Sequence, residues 1–147
     1  MQWSAARSGR VFILRLEDGE ILHETIEAFA AVAGIRRATV IVLGGAAAGS
    51  RLVVGPVDGA ARPVTPQETT LADVHEIAGV GTLFPDESNQ PVLHLHVACG
   101  RQCATTTGCV RRGVRIWQVA EVVVTELLDT AAARRADPAT GFHLLQP

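Results

Sequence analysis

Apolar and polar positions alternate at the start of the chain and then change period. In RVFILRLEDGE, residues 10–20, alternation places Phe12, Leu14 and Leu16 on one face, and the EDG segment supplies a turn. In the following ILHETIEAFAAVAG, apolar side chains recur every three or four residues, which is helical spacing. The apolar stripe consists of Leu22, Ile26, Phe29, Ala30 and Ala33. We therefore predict a strand and then one amphipathic helix, ended by Gly34 in a left-handed conformation.

Short β-prone segments follow the helix. The first, RRATVIVLGG at residues 36–45, is almost continuously apolar, which predicts a strand buried on both faces. Another short strand is predicted for RLVVGP at residues 51–56. Residues 55–69 contain three prolines and two glycines, which predicts a surface loop or an irregular hairpin.

The second half of the chain continues this pattern of short strands. Residues 71–90 predict two strands broken near Gly79 and Gly81, and the next strand is PVLHLHVAC. A loop running into a further strand is predicted for GRQCATTTGCVRRG. The longest β-prone stretch is VRIWQVAEVVVTEL, with a bulge expected near Ala120 and Glu121. Many short strands with one early helix predict an α+β domain with a mainly antiparallel β-sheet.

Length and composition indicate one globular domain, residues 1–147. Hydrophobic residues make up 48% of the chain and charged residues 19%, so we expect a packed core and little disorder. No apolar run reaches the ~18 residues that span a bilayer. The N-terminal segment lacks the apolar region of a signal peptide. We therefore expect no membrane partner and a cytoplasmic location.

The charge pattern argues against a broad basic surface, because the net charge is −2. All 13 basic residues are arginine, which is explained either by recognition of phosphate or carboxylate groups or, more simply, by genome composition. Four arginines near one another are candidates for contact with an anion or nucleic acid. These are Arg101, Arg111, Arg112 and Arg115. The simpler interpretation is a solvated sheet edge that discourages aggregation.

The segment PVLHLHVACG carries the clearest candidate chemistry. Strand alternation places His94 and His96 on one face, opposite the apolar Leu93, Leu95 and Val97. Two imidazoles at this spacing can bind one divalent ion, and zinc is the natural candidate. The alternative is that both histidines are half-exposed or pack at a subunit interface.

A third ligand is needed for such a site. Cys109 is the first choice because a hairpin would bring it beside the histidines, while Cys103 and His75 are weaker choices. Glu76 is a candidate general base or hydrogen-bond partner of a ligand, a supporting role that His75 also suits. An odd count of three cysteines argues against a disulfide framework.

The order of these segments resembles the PPC domain family (plants and prokaryotes conserved, DUF296). The matching segments are RVFILRLEDGEILHETIEAFAAVAGI, VIVLGGAA, HEIAGVGTLF, PVLHLHVACG, TTTGCV, AEVVVTEL and DPATGFHLL. The resemblance implies an α+β fold assembled as a homotrimer. It also implies a stand-alone member described as DNA-binding or regulatory, here without the R-G-R-P core of an AT-hook.

The resemblance also bears on the metal. Many bacterial relatives carry an HLH strand followed by a GGH turn, and their three histidines resemble a metal site. His94 and His96 match the first two positions, and TGC places Cys109 at the third. The implied alternative function is a zinc-dependent enzyme or a small-ligand-binding protein, because three protein ligands leave a fourth zinc position open.

Overall fold

A computed structural model describes all residues, Met1–Pro147. One helix, α1, covers Leu22–Ala33. The strands are β1 (Arg7–Glu17), β2 (Ala38–Ala46), β3 (Arg51–Pro56), β4 (Pro66–Thr70), β5 (His75–Pro85), β6 (Pro91–Arg101), β7 (Ala104–Cys109), β8 (Ile116–Leu128), β9 (Ala133–Ala136) and β10 (His143–Gln146). A single 3-10 turn, Val110–Arg112, follows β7.

Eight strands form one sheet in the order β1-β8-β2-β5-β6-β7-β3-β4, and β9 pairs with β10 separately. All strand pairs are antiparallel. The prediction of a mainly antiparallel α+β fold with one principal helix is therefore confirmed. The helix ends as predicted, because Gly34 adopts φ 67° and ψ 27°. None of the helices is long and apolar enough to cross a membrane.

The core lies between α1 and one face of the large sheet, here called the inner face. Leu22, Ile26 and Ala30 of the helix are fully buried there. They join a cluster of 23 buried apolar residues that includes Leu95 and Val97 of β6. Because burial of a leucine-sized side chain contributes about 1.5–3 kcal/mol, this single core supplies the main stabilisation of the fold.

The opposite, outer face of the sheet is apolar but uncovered in the single chain. The side chains of Val11, Ile13, Ile41, Leu43 and Val80 are between 51% and 76% exposed. The expectation that β2 is buried on both faces is therefore wrong for the chain alone. Only Val40 and Val42 of its central residues are buried, because α1 covers the inner face only.

The strand predicted to break near Gly79 and Gly81 is continuous. Both glycines lie within β5, against the backbone of β6. A Cβ at Gly79 would lie 2.5 Å from the His96 carbonyl oxygen, and one at Gly81 would lie 2.6 Å from the His94 carbonyl oxygen. These glycines permit close strand approach rather than a turn.

Two other predictions differ from the structure in their boundaries. The segment GRQCATTTGCVRRG, predicted as a loop running into a strand, contains the whole of β7, which ends at Cys109. The expected bulge in β8 lies slightly earlier, because Gly44 pairs with Ala120 while Gly45 pairs with Trp117. The proline-rich stretch is the predicted irregular hairpin, formed by β3 and β4.

Candidate metal centre

Strand β6 presents the two histidines as alternation predicts. Leu93, Leu95 and Val97 are fully buried on the inner face, while the rings of His94 and His96 are exposed on the outer face. The rings lie edge to face with centroids 4.9 Å apart. Their Nε2 atoms are 3.1 Å apart, so one ring donates a hydrogen bond to the other.

The β6–β7 hairpin brings Cys109 to the histidines. The turn between the strands is short, and Gln102 adopts φ 55° there. The resulting register places Cys109 directly opposite His96. The metal-binding atoms of His94, His96 and Cys109 all lie within 4.8 Å of one another.

This donor set fits a tetrahedral zinc ion. Zn–N bonds of about 2.0–2.1 Å and Zn–S bonds of about 2.3 Å separate neighbouring ligand atoms by roughly 3.3–3.8 Å. The Nε2–Nε2 distance of 3.1 Å is close to that range. Two imidazoles and one thiolate are also the ligand types that zinc prefers.

Side chains hold the backbone of β6 next to His94. Beyond the His96–Cys109 pair, β7 ends and no longer covers this edge of β6. The Leu93 N–H donates to Glu27 Oε1 of the helix at 2.7 Å. The Leu93 carbonyl accepts a hydrogen bond from Arg111 Nη2. These two contacts replace the missing strand pairing and fix the position of the first histidine.

The surroundings of His94 favour the neutral imidazole. Partial withdrawal of its ring from water lowers its pKa, and the charges of Arg134, His96 and Arg111 lower it further. A neutral imidazole is the form that binds a metal ion. His94 is therefore in its ligand form at neutral pH.

The other cysteines lie outside the cluster. Cys99 is fully buried on the inner face, and burial raises the pKa of its thiol to about 11. It is therefore protonated and inert at neutral pH. Cys103 is exposed in the β6–β7 turn. The last residue pair before that turn, Arg101 and Ala104, is five pairs along the hairpin from the pair of His96 and Cys109.

His75 and Glu76 are not brought to the cluster. The ring Nδ1–H of His75 donates to the Asp73 carbonyl oxygen at 2.7 Å. Glu76 pairs with Gly100, whereas Val80 of the same strand pairs with His96. Glu76 therefore lies about 13 Å along β5 from the position opposite His96 and about 20 Å from the position opposite His94. Neither residue is in a position to support a ligand.

Each of the four candidate arginines is held by a different partner within the chain, and two of them, Arg112 and Arg115, line the same surface pocket. Arg101 pairs with Asp73, and Arg112 pairs with Glu68 at 2.7 Å. Arg115 Nη1 donates to the Gly19 carbonyl oxygen at 2.6 Å. The fourth, Arg111, bonds the Leu93 carbonyl and so lies beside the cluster.

Arg134 is a notable residue that sequence reasoning missed. It lies in β9, is only 5% exposed, and its Nη2 donates to Thr82 Oγ1 at 3.1 Å. Thr82 is the cross-strand neighbour of His94. No local pattern distinguished this arginine from its neighbour Arg135, because the segment around them is short and polar.

A family model matches residues 3–128 of the chain, and its description is the Plants and Prokaryotes Conserved (PCC) domain. The chain belongs to the PCC domain family. This is the family that the sequence resembles, so that prediction is confirmed.

Similar solved structures cover nearly all of this PCC chain. The metal-containing protein AF0104 from Archaeoglobus fulgidus is 26% identical with a TM-score of 0.85, and the match covers 100% of both chains. A plant- and prokaryote-conserved (PPC) protein from Pyrococcus horikoshii is 21% identical with a TM-score of 0.82, covering 100% of this chain and 98% of its own. A “putative DNA binding protein” from Bacteroides thetaiotaomicron is 18% identical with a TM-score of 0.76, covering 96% of both chains.

One curated relative is much longer than the PCC domain. The bifunctional protein GlmU of Synechococcus sp. (strain JA-3-3Ab) is 30% identical over 135 residues. The match covers 90% of this chain but 20% of the relative. This chain therefore spans about a fifth of that protein's length.

Proposed function

We propose that this PCC-domain protein binds zinc through His94, His96 and Cys109. The observation that carries the proposal is the convergence of two imidazole nitrogens and one sulfur within 4.8 Å of one another. The A. fulgidus relative, which is 26% identical over the whole chain, is itself named a metal-containing protein. Its name supports a metal in this family, and the donor set here favours zinc.

Three protein ligands leave a fourth zinc position open to a small ligand. Zinc bound in this way acts as a Lewis acid toward whatever occupies that position. The residues of this chain hold the ligands in place, because Glu27 and Arg111 fix the Leu93 backbone beside His94. In the single chain the histidine rings are exposed on the outer face. We therefore propose metal-dependent ligand binding as the function.

Metal content tests this proposal. The protein is purified, supplied with zinc, dialysed and measured by elemental analysis. We expect about one zinc per chain for the wild type and a loss of most of it in His94→Ala. The matched control is His75→Ala, which removes a histidine outside the cluster. A wild type that retains no stoichiometric zinc, or an equal loss in both variants, contradicts the proposal.

We also propose that the chain assembles as a homotrimer, in which further copies of the chain pack on the outer face. Ile13 and Ile41 flank Val123 in the strand register, and Ile41 in turn lies opposite Val80. This apolar row continues to His96 and therefore ends at the metal cluster. Exposed apolar surface of this kind is typical of subunit interfaces.

DNA binding is a further proposal, supported by the description of the B. thetaiotaomicron relative. Six arginines already form ion pairs within the chain. Affinity for phosphates would therefore depend on repetition of weak contacts across a trimer. A titration with duplex DNA at two salt concentrations tests this proposal. Salt-sensitive binding supports it, and no binding at low salt rules it out.

A further inference from the structure

Arg134 is a buried charge without a counter-charge. Arg134 is only 5% exposed, and its Nε has no hydrogen-bond partner. It forms no ion pair, since its polar partners are the hydroxyl and carbonyl oxygens of Thr82. A buried, unpaired guanidinium is costly to the folded protein. A counter-ion that is not part of this chain would offset that cost.

The position of Arg134 shows where the counter-ion would lie. Thr82 and His94 are directly opposite each other on β5 and β6, so their side chains share the outer face. The Arg134 guanidinium, bonded to Thr82 Oγ1, therefore lies beside the first histidine of the cluster. Burial lowers the pKa of Arg134, the nearby Arg111 guanidinium lowers it further, and Cys109 raises it.

Arg111 adds a second unpaired cation at the same place. It bonds the Leu93 carbonyl oxygen, next to His94, and forms no ion pair with any carboxylate. A divalent metal, one thiolate and two guanidinium groups together carry a net positive charge. Guanidinium also matches the geometry of phosphate and carboxylate oxygens. The site is therefore suited to an anion at the open metal position.

We propose that the metal centre binds the phosphate or carboxylate group of a small molecule, held between the open metal position and the guanidinium groups of Arg134 and Arg111. This inference rests on the proposed zinc site and specifies the class of its ligand. The oxyanion supplies the negative counter-charge that Arg134 lacks within the chain, and one oxygen of the oxyanion ligates the metal. Phosphate, with its greater charge, is the better match.

Cobalt-loaded protein provides the test, because the visible spectrum of Co²⁺ reports its coordination. The full chain is titrated separately with inorganic phosphate, with acetate and with neutral acetamide. We expect phosphate and acetate to change the spectrum saturably, phosphate at lower concentration, and acetamide to have no effect. The difference between phosphate and acetate identifies the preferred ligand group.

Variants test the role of the arginines. Arg134→Gln is expected to weaken phosphate binding about tenfold or more, since a hydrogen bond to a charged group contributes about 1.5–3 kcal/mol. Cobalt content should remain unchanged. Arg134→Lys should recover part of the affinity. The matched control is Arg135→Gln, which alters the adjacent arginine, and Arg111→Gln is a second test if Arg134→Gln fails to fold.

The two proposals fail in different ways. Cobalt bound at one per chain with no response to either anion overturns the anion proposal and leaves the metal site standing. Equal phosphate binding by Arg134→Gln and Arg135→Gln also overturns the anion proposal and leaves the metal site standing. A carboxylate from a neighbouring copy that occupied the site would also abolish the spectral response to added anions. That outcome would overturn the proposal of a small-molecule ligand. No cobalt binding at all contradicts the metal site itself.

Discussion

At the scale of single residues, Cys109 determines the metal preference of the proposed site. A thiolate beside two imidazoles favours softer metals than three imidazoles do. The hairpin places the Cys109 residue opposite His96. A histidine in place of Cys109 would project toward the same proposed metal site. The chemical identity of the site is thus set by one side chain on an otherwise fixed backbone.

We predict that Cys109→His retains zinc but reduces the preference for cadmium, because imidazole replaces the only sulfur ligand. In cobalt-loaded protein, the thiolate-to-cobalt charge-transfer band in the near ultraviolet should be present in the wild type and absent in the variant. Cys103→Ser, which alters an exposed turn cysteine, is the control and should leave the band unchanged. A wild-type spectrum without this band would exclude Cys109 as a ligand.

Glu126 carries a second prediction at this scale, on stability. Its carboxylate is 7% exposed and accepts hydrogen bonds from Arg10 Nε and Nη2, each at 2.8 Å. The hydrogen bond from Arg10 lowers the pKa of Glu126 more than burial raises it. A lowered pKa stabilises the fold above the unfolded value of about 4.3 and loses that effect as pH falls below it.

Glu126→Gln should therefore lower Tm by a few degrees at pH 7. The difference from wild type should shrink as pH falls below about 4, where the wild-type carboxylate becomes protonated. Thermal unfolding followed across this pH range measures the effect. Glu17→Gln, in an exposed pair with Arg15, should change Tm much less at any pH. A constant difference between wild type and Glu126→Gln would contradict the assignment.

The sequence was sufficient to predict that His94, His96 and Cys109 lie close together, because strand alternation and a hairpin are local properties. It was insufficient for Arg134, which reaches the histidines through contact with a residue 52 positions away. His75 and Glu76 were favoured by their residue types, but the register of β5 places them far along the strand. Residue type was thus informative only where the chain neighbours also set the geometry.

At the scale of elements, β7 is the strand that completes the cluster. It pairs with β6 on one side and meets β3 on the other, where Val53 is opposite Cys109. Gly108 allows this approach, since a Cβ there would lie 2.6 Å from the Val53 carbonyl oxygen and 3.0 Å from Leu52 Cβ. The position of the cysteine therefore depends on close packing between these strands.

Gly108→Ala should displace β7 from β3 and destabilise the fold by about 1–3 kcal/mol, the usual cost of overpacking. Zinc affinity should fall at the same time, because Cys109 moves with the strand. Urea unfolding and competition with a zinc chelator measure the two effects. Gly59→Ala is the control, since a Cβ there has nothing within 4 Å. An unchanged zinc affinity in Gly108→Ala would show that the strand contact does not position the ligand.

The helix and most strands were predictable from the spacing of apolar residues along the chain. The errors have a common physical cause. Glycines within β5 resemble turn residues in sequence but serve close strand contacts in the structure. The short strand β7 lies in a segment of threonines, glycines and arginines that has little hydrophobic pattern. In both cases the deciding interaction is with a neighbouring strand, which a single segment does not reveal.

At the scale of the whole molecule, the apolar outer face explains why β2 resembles a fully buried strand. Ile41 and Leu43 are 51% and 53% exposed in the single chain. In the proposed trimer the neighbouring copies cover them, so the hydrophobic pattern of β2 describes the assembly rather than the chain. Burial of this face would contribute to association at about 25 cal/mol per Å² before the costs of assembly.

We predict that the wild type sediments as a trimer and that Ile41→Glu is largely monomeric, because a charge in the centre of the face opposes its burial. Analytical ultracentrifugation over a range of concentrations measures the change. The control is Val57→Glu, which introduces the same charge at a valine that is 67% exposed in the β3–β4 hairpin. A monomeric wild type, or a trimeric Ile41→Glu, contradicts the proposed interface.

The β6–β7 hairpin has a consequence for how the proposed metal site could be transplanted. All three proposed ligands lie between positions 94 and 109, on two strands joined by a short turn. The contacts that support this hairpin lie outside it, in Glu27 of α1, Arg111 after β7 and Val53 of β3. A graft of the hairpin onto a related sheet would therefore have to carry these contacts with it for the proposed site to keep its geometry.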